Sequence, residues 1–234
     1  MPVVAAAVCP HPPAIVPQLA QGAASELDAL RAAADEAIAA LLTAQVDARF
    51  VVGPAASTVR FAASTGGCFA PWGLPLRVGG PDQGPPVLPL SLAVGAWLLE
   101  RAGGAEITGY QGVAADAGPA ACAALGATLA AAADRVALLV MGDGSARCGA
   151  RSPGGDDPGA AVFDRAVADA LARGDARSLL DLPASTAARL LAAGRPAWQV
   201  LAGAVGDAPV TGRLRYAGAP YGVGYFVATW ETSH

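Results

Sequence analysis

The stretch Asp134-Arg-Val-Ala-Leu-Leu-Val-Met-Gly-Asp-Gly-Ser-Ala-Arg147 decides the fold. Val136 to Met141 is an unbroken apolar run of β-branched and long aliphatic side chains. Such a run is the pattern of a strand covered on both faces, hence central and parallel. The run stops at Gly142-Asp143-Gly144-Ser145, a polar tip between glycines. Open α/β sheets place their chemistry beyond the carboxyl ends of their strands, so this tip is the first place to seek a site.

Working outward, residues 3–8 form a second apolar run that ends at Cys9-Pro10-His11-Pro12-Pro13. Proline neither continues a ladder nor enters a helix interior, so His11 is expected on a stiff loop at a strand's carboxyl end. Ser25 followed by Asp28 reads as a capping box that opens a helix with an inner stripe of Leu27, Leu30, Ala34, Ile38 and Leu41, running to about Thr43. Residues 50–52 make a short strand broken by Gly53-Pro54-Ala55-Ala56-Ser57. A Gly/Pro-rich excursion follows over 66–89, with Trp72 inside and room for an edge strand; its length makes it a candidate partner surface. Leu90, Val94, Trp97 and Leu98 have helical spacing over 89–100, ended by Gly103-Gly104. Residues 106–113 read as a strand with one wetter face, and the alanine-rich 119–133 as a helix. A loop over 150–158 leads to a helix striped by Phe163, Val167 and Leu171 and ended near Gly174. Short helices at 185–193 and 196–205 and two aromatic strands at 212–216 and 221–230 complete the chain. Strands and helices alternate, so the expected fold is α/β, a single domain over residues 1–234 with a mainly parallel central sheet flanked by helices.

Composition narrows the function. All 15 basic residues are arginine, and the chain has no lysine and no asparagine. That excludes a Schiff-base lysine and the lysine of a Walker phosphate loop. A net charge of −4 without a basic cluster argues against nucleic acid. No window reaches the length of uninterrupted apolar sequence that spans a bilayer, and the first residues lack the basic region of a signal peptide, so no membrane association is expected and the location is read as cytoplasmic. Cys9, Cys68, Cys122 and Cys148 show no C-x-x-C spacing and are read as free thiols. The chain has two histidines, His11 and His234, so an acid-base pair or metal site must be built from His11 with carboxylates and thiols.

Two familiar motifs fail. Gly142-x-Gly144 lacks the third glycine of a dinucleotide fingerprint, which Arg147 replaces, and a Pro/Gly loop follows where a helix should begin. Ser145 lacks the flanking glycines of a nucleophile elbow, since Asp143 and Arg147 stand there; it is more simply a turn residue. Cys9 and His11, two apart, could form a thiolate-imidazole pair for a metal-free enzyme, against the plainer reading of a buried cysteine beside a structural histidine.

Taken together, several segments resemble the class III extradiol ring-cleavage dioxygenases of the protocatechuate 4,5-dioxygenase β-subunit type and their relatives the Memo proteins. Pro10-His11-Pro12-Pro13 resembles the proline-flanked first metal histidine, and Gly53-Pro54-Ala55 the Ser-Pro-His of the second. Met141-Gly-Asp-Gly-Ser-Ala146 resembles the Gly-Asp-Leu-Ser-His that ends in the catalytic histidine, with Phe163-Asp164 on the helix that follows. Ala193-Gly-Arg-Pro196 resembles the segment carrying the third metal-site residue. The resemblance implies an oxidoreductase that holds Fe(II) on two histidines and a carboxylate, a further histidine moving protons, and a homo-dimer or larger assembly. Here the matching positions read His11, Ala55, Ala193 and, for the base, Ala146, and a methyl group donates nothing to a metal. The expectation is therefore a dioxygenase-like protein that has lost the iron site and ring cleavage, with no cofactor. It keeps a cleft of His11, Ser57, Asp143, Ser145 and Arg147 for a small-molecule ligand or a partner. The alternative is an active enzyme, either with a divalent metal held by His11, Asp143 and a further donor such as Glu231 or Cys9, or metal-free on Cys9 and His11.

Overall fold

A computed structural model describes residues 2–80 and 84–232. The apolar runs become strands in one seven-stranded sheet. In chain order the strands are β1 (Val3–Cys9), β2 (Ala48–Ala55), β3 (Val59–Ala62), the two-residue β4 (Gly67–Cys68) and β5 (Arg77–Val78), β6 (Gly109–Ala114), β7 (Val136–Met141), β8 (Val210–Gly218) and β9 (Tyr225–Thr232). The sheet order is β3-β6-β2-β7-β1-β9-β8, while β4 and β5 pair apart as a small ribbon. β6, β2, β7 and β1 are parallel neighbours. β3 closes one side antiparallel to β6, and the β9–β8 hairpin closes the other, antiparallel to β1.

The central position of β7 follows from its composition. Val136, Leu138 and Val140 enter one hydrophobic cluster, whereas Ala137, Leu139 and Met141 enter the other. A strand with no polar face can only sit between two layers. Eight helices supply those layers: α1 (Pro17–Ala20), α2 (Asp28–Thr43), α3 (Leu90–Arg101), α4 (Pro119–Ala130), α5 (Gly159–Arg173), α6 (Ala176–Leu180), α7 (Ala184–Arg189) and α8 (Arg195–Val205). Side chains of α2 and α3 pack into the cluster on one face, and those of α4, α5 and α8 into the cluster on the other. The fold is the α/β architecture with a mainly parallel, helix-flanked sheet that the alternation of elements implies. α4 and α8 approach until their backbones touch, because Gly126 and Gly203 leave no room for a Cβ at the crossing.

Several local expectations need correction. Ser25 does not cap α2: residues 21–27 form 3-10 turns, the helix starts at Asp28 behind Leu27, and Asp28 pairs with Arg31 at 2.6 Å instead. The inner stripe and the end at Thr43 are as read. β2 continues through Gly53 and Pro54, since its pairing with β7 stops at Val52 and one edge is then free to tolerate a missing N–H. β6 has no wet face; Gln111 is buried and its side-chain amide donates to the carbonyls of Val59 and Gly112. The edge strand lies at 59–62, before the Gly/Pro excursion, which holds only the β4–β5 ribbon and a 3-10 turn at Ala70–Trp72. The 185–193 helix shortens to α7, and α6 was not foreseen.

Candidate functional site

The carboxyl ends of β1 and β7 lie side by side, with Cys9 opposite Met141 and the Gly142 N–H donating to the Cys9 carbonyl at 2.9 Å. One step further, the two chains present His11 and Asp143. The His11 N–H donates to Asp143 Oδ1 at 2.7 Å, and His11 Nδ1 stands 3.4 Å from the same oxygen. Nδ1 is buried and has no hydrogen-bond partner. His11 is 8% exposed and the Asp143 side chain 16%. With Nδ1 turned to the carboxylate, Nε2 is the nitrogen left for a ligand.

The turn that carries Asp143 is fixed from three sides. The Asp143 carbonyl accepts the Gly194 N–H at 2.8 Å, so the 193–194 corner before α8 abuts the site. Gly144 donates to Gly224 at 2.6 Å and Gly224 donates back to Ser145 at 2.8 Å, which brings the start of β9 alongside. Asp164, on α5, accepts the Ser145 N–H at 2.8 Å on one oxygen and the Cys148 thiol at 3.0 Å on the other. A Cβ at Gly144 or Gly224 would collide with this carboxylate, which accounts for both glycines.

Burial dominates the electrostatics. It pushes the Asp143 carboxyl above the ordinary carboxylate range, against the opposing pull of the His11 imidazole and N–H. Tyr225 is pushed up by burial and then by the Asp143 charge, with Tyr221 and Tyr216 also contributing, which places a tyrosine cluster beside the carboxylate. Tyr221 in turn is raised by burial and by Glu26. The sequence reading took these tyrosines only as hairpin residues; the Gly222 and Gly224 spacing around them was the available signal. Asp164 carried no signal in the sequence beyond its place after Phe163.

The other expected site residues separate. Ser145 is fully buried, its hydroxyl donating to the Leu190 carbonyl at 3.1 Å and accepting the Arg147 N–H at 3.1 Å, so it is a turn residue with no free valence for chemistry. Arg147 is half-buried behind that turn. Ser57 is exposed in the β2–β3 turn, and among the described residues no hydrogen bond ties it to His11 or Asp143. Cys9 is buried, its thiol pushed up to about 12 by desolvation and the Asp35 charge, which removes the thiolate that a Cys9–His11 nucleophile requires. Glu231 pairs with Ala5 towards the amino end of β1, away from His11, and cannot be a third ligand. His234 lies outside the described residues.

The ferrous ion that the resemblance implies does not fit the side chains present. Ala193 lies beside Gly194 at the site, Ala146 in the turn and Ala55 at the end of β2, each offering a methyl group. Among the described residues no group of three or more His, Cys, Asp or Glu side chains comes together, whereas an iron site of this kind needs three donors.

The fold therefore defines an α/β protein with a polar pair at the carboxyl ends of its two central strands. No protein-family model matches the sequence, and no curated protein does. A solved structure, that of uncharacterized protein JW3007 from Escherichia coli K12, is similar with a TM-score of 0.56 at 16% identity, covering 97% of this chain and 99% of that one. At that identity the likeness concerns the fold alone.

Proposed function

We propose that this chain is a ligand-binding protein on an extradiol-dioxygenase-like fold, taking a small polar molecule at His11 and Asp143 without cleaving aromatic rings. The observation that carries this is the intact His11–Asp143 pair at the strand ends, set among alanines where the resemblance places further donors. A site that keeps its orienting carboxylate and its imidazole but lacks metal donors can still hydrogen-bond a ligand from Nε2 and the free carboxylate oxygen. The four cysteines are unpaired, in keeping with a reducing compartment, and no described helix is long and apolar enough to cross a membrane.

Two measurements test the reading. A thermal-shift screen of small polar metabolites should yield a compound that raises Tm for the wild type and not for His11→Ala, because binding stabilises only the folded form. Anaerobic ferrous reconstitution of untagged protein, with elemental analysis and a catechol assay, should give neither stoichiometric iron nor ring-opened product. Both appearing together would overturn the proposal in favour of a rebuilt oxidoreductase site.

A further inference from the structure

His11 and Asp143 are nearly closed off, so a ligand needs a way in. The segment that leaves His11 is built unlike the rest of the chain. After the 3-10 turn Pro13–Ile15 it makes a single helical turn, α1, then 3-10 turns over Gln21–Leu27 before α2 begins. Its two ends are anchored: Ile15, Val16 and Leu27 are fully buried, in the cluster that also holds Cys9, Met141 and Tyr225. Between those anchors, none of residues 17–26 is buried. Short 3-10 and single-turn pieces carry weak hydrogen bonding, so this stretch has little holding it but its ends.

Two features mark it as a moving part. Gln21 sits at φ 49°, ψ −121°, a conformation that costs a side-chain-bearing residue energy, and Gly22 beside it has open space around it. Arg31, on α2 and buried, reaches back across the segment, donating to the carbonyls of Ile15 and Ala24 and to the Asp28 carboxylate. One side chain thus ties the start of the segment to its far end. The segment also faces the site through the tyrosines, since Glu26 and Arg31 act on Tyr221, Tyr221 on Tyr225, and Asp143 on Tyr225.

We propose that residues 17–26 form a strap that gates the His11–Asp143 site, latched by Arg31 and sprung at Gln21. This rests on the reading of that pair as the ligand site. In the closed state Arg31 holds the strap down; its release lets the segment swing on the Val16 and Leu27 anchors while the strain at Gln21 relaxes. Lids of this kind exclude water and commit the ligand once it is bound.

Carbethoxylation of His11 by diethyl pyrocarbonate, followed peptide by peptide with mass spectrometry, reads the open population directly. Wild-type His11 should react far more slowly than N-acetylhistidine. Arg31→Met, which keeps the buried stem and removes the donors, should speed the reaction by about tenfold or more. Gln21→Gly removes the strain of the closed state and should slow it by roughly threefold. A folded Arg31→Met protein that labels no faster, or a Gln21→Gly protein that labels no slower, overturns the gate; if Arg31→Met does not fold, Gln21→Gly decides alone. The labelling needs no ligand, so a rigid strap would leave the site reading standing, and a barren ligand screen would leave the gate.

Discussion

Replacing Asp143 by asparagine asks whether the fold carries a carboxylate at this strand end against its own stability. Burial raises the Asp143 pKa, and the imidazole and N–H of His11 only partly offset it. The sign follows from proton linkage. A folded-state pKa above the unfolded value means that the folded protein holds this proton more tightly. The stabilisation is fully present below the unfolded pKa and is lost as pH rises through the folded one. At neutral pH the wild type therefore carries a net penalty. Its size can be bounded from the contacts. Desolvating a carboxylate costs several kcal/mol, and the 2.7 Å bond from the His11 N–H offsets about 2 kcal/mol of that. Asparagine keeps an oxygen to accept the same N–H in a neutral bond contributing about 1 kcal/mol, with no charge to desolvate. Asp143→Asn should thus be more stable than wild type by roughly 1 kcal/mol at pH 7 to 8, within the range seen when a destabilising functional residue is relieved. The gap should shrink towards zero in acid, where the wild-type carboxyl is neutral too. Urea midpoints of both proteins across that pH range, at unchanged m, measure it. A variant less stable by a constant amount at every pH, or a gap that widens in acid, would refute the argument, because attraction to His11 would then outweigh burial.

Further outcomes follow from neighbouring groups. Asp164→Ala leaves the Ser145 N–H and the Cys148 thiol without their acceptor; the protein should lose about 2 kcal/mol in a denaturant titration, and an unchanged midpoint would show that the turn over 143–148 holds itself. Cys9, with its thiol pushed up to about 12 inside the core, should resist a disulfide reagent at pH 8 until the protein is denatured; prompt native labelling of Cys9 would restore the thiol-based enzyme reading.

Much of the fold was legible because local pattern and tertiary environment agree. The β7 run is apolar at every position, so no arrangement other than a central strand satisfies it. Gly174 ends α5 in the left-handed conformation that its residue type favours. Where pattern and environment diverge, the reading slipped. Gln111 looks like a solvent-facing residue, yet it is buried because β3 folds over β6 and supplies a carbonyl for its amide. Ser25 and Asp28 have the spacing of a capping box, but Asp28 is drawn to Arg31, which must span the strap.

What the sequence determined by itself is the layer structure and one end of the site: alternating apolar runs require a helix-flanked sheet, and His11 between prolines must stand where β1 stops. Which groups meet His11 was settled only by tertiary structure. Asp143, 132 residues away, reaches it because β1 and β7 pair in parallel register, so both chains end at the same level. Tyr225 joins from the antiparallel β9, while Glu231, further along that strand, is carried to the opposite end of β1. Strand direction and register are properties of pairs of segments, and a single chain's local pattern encodes neither.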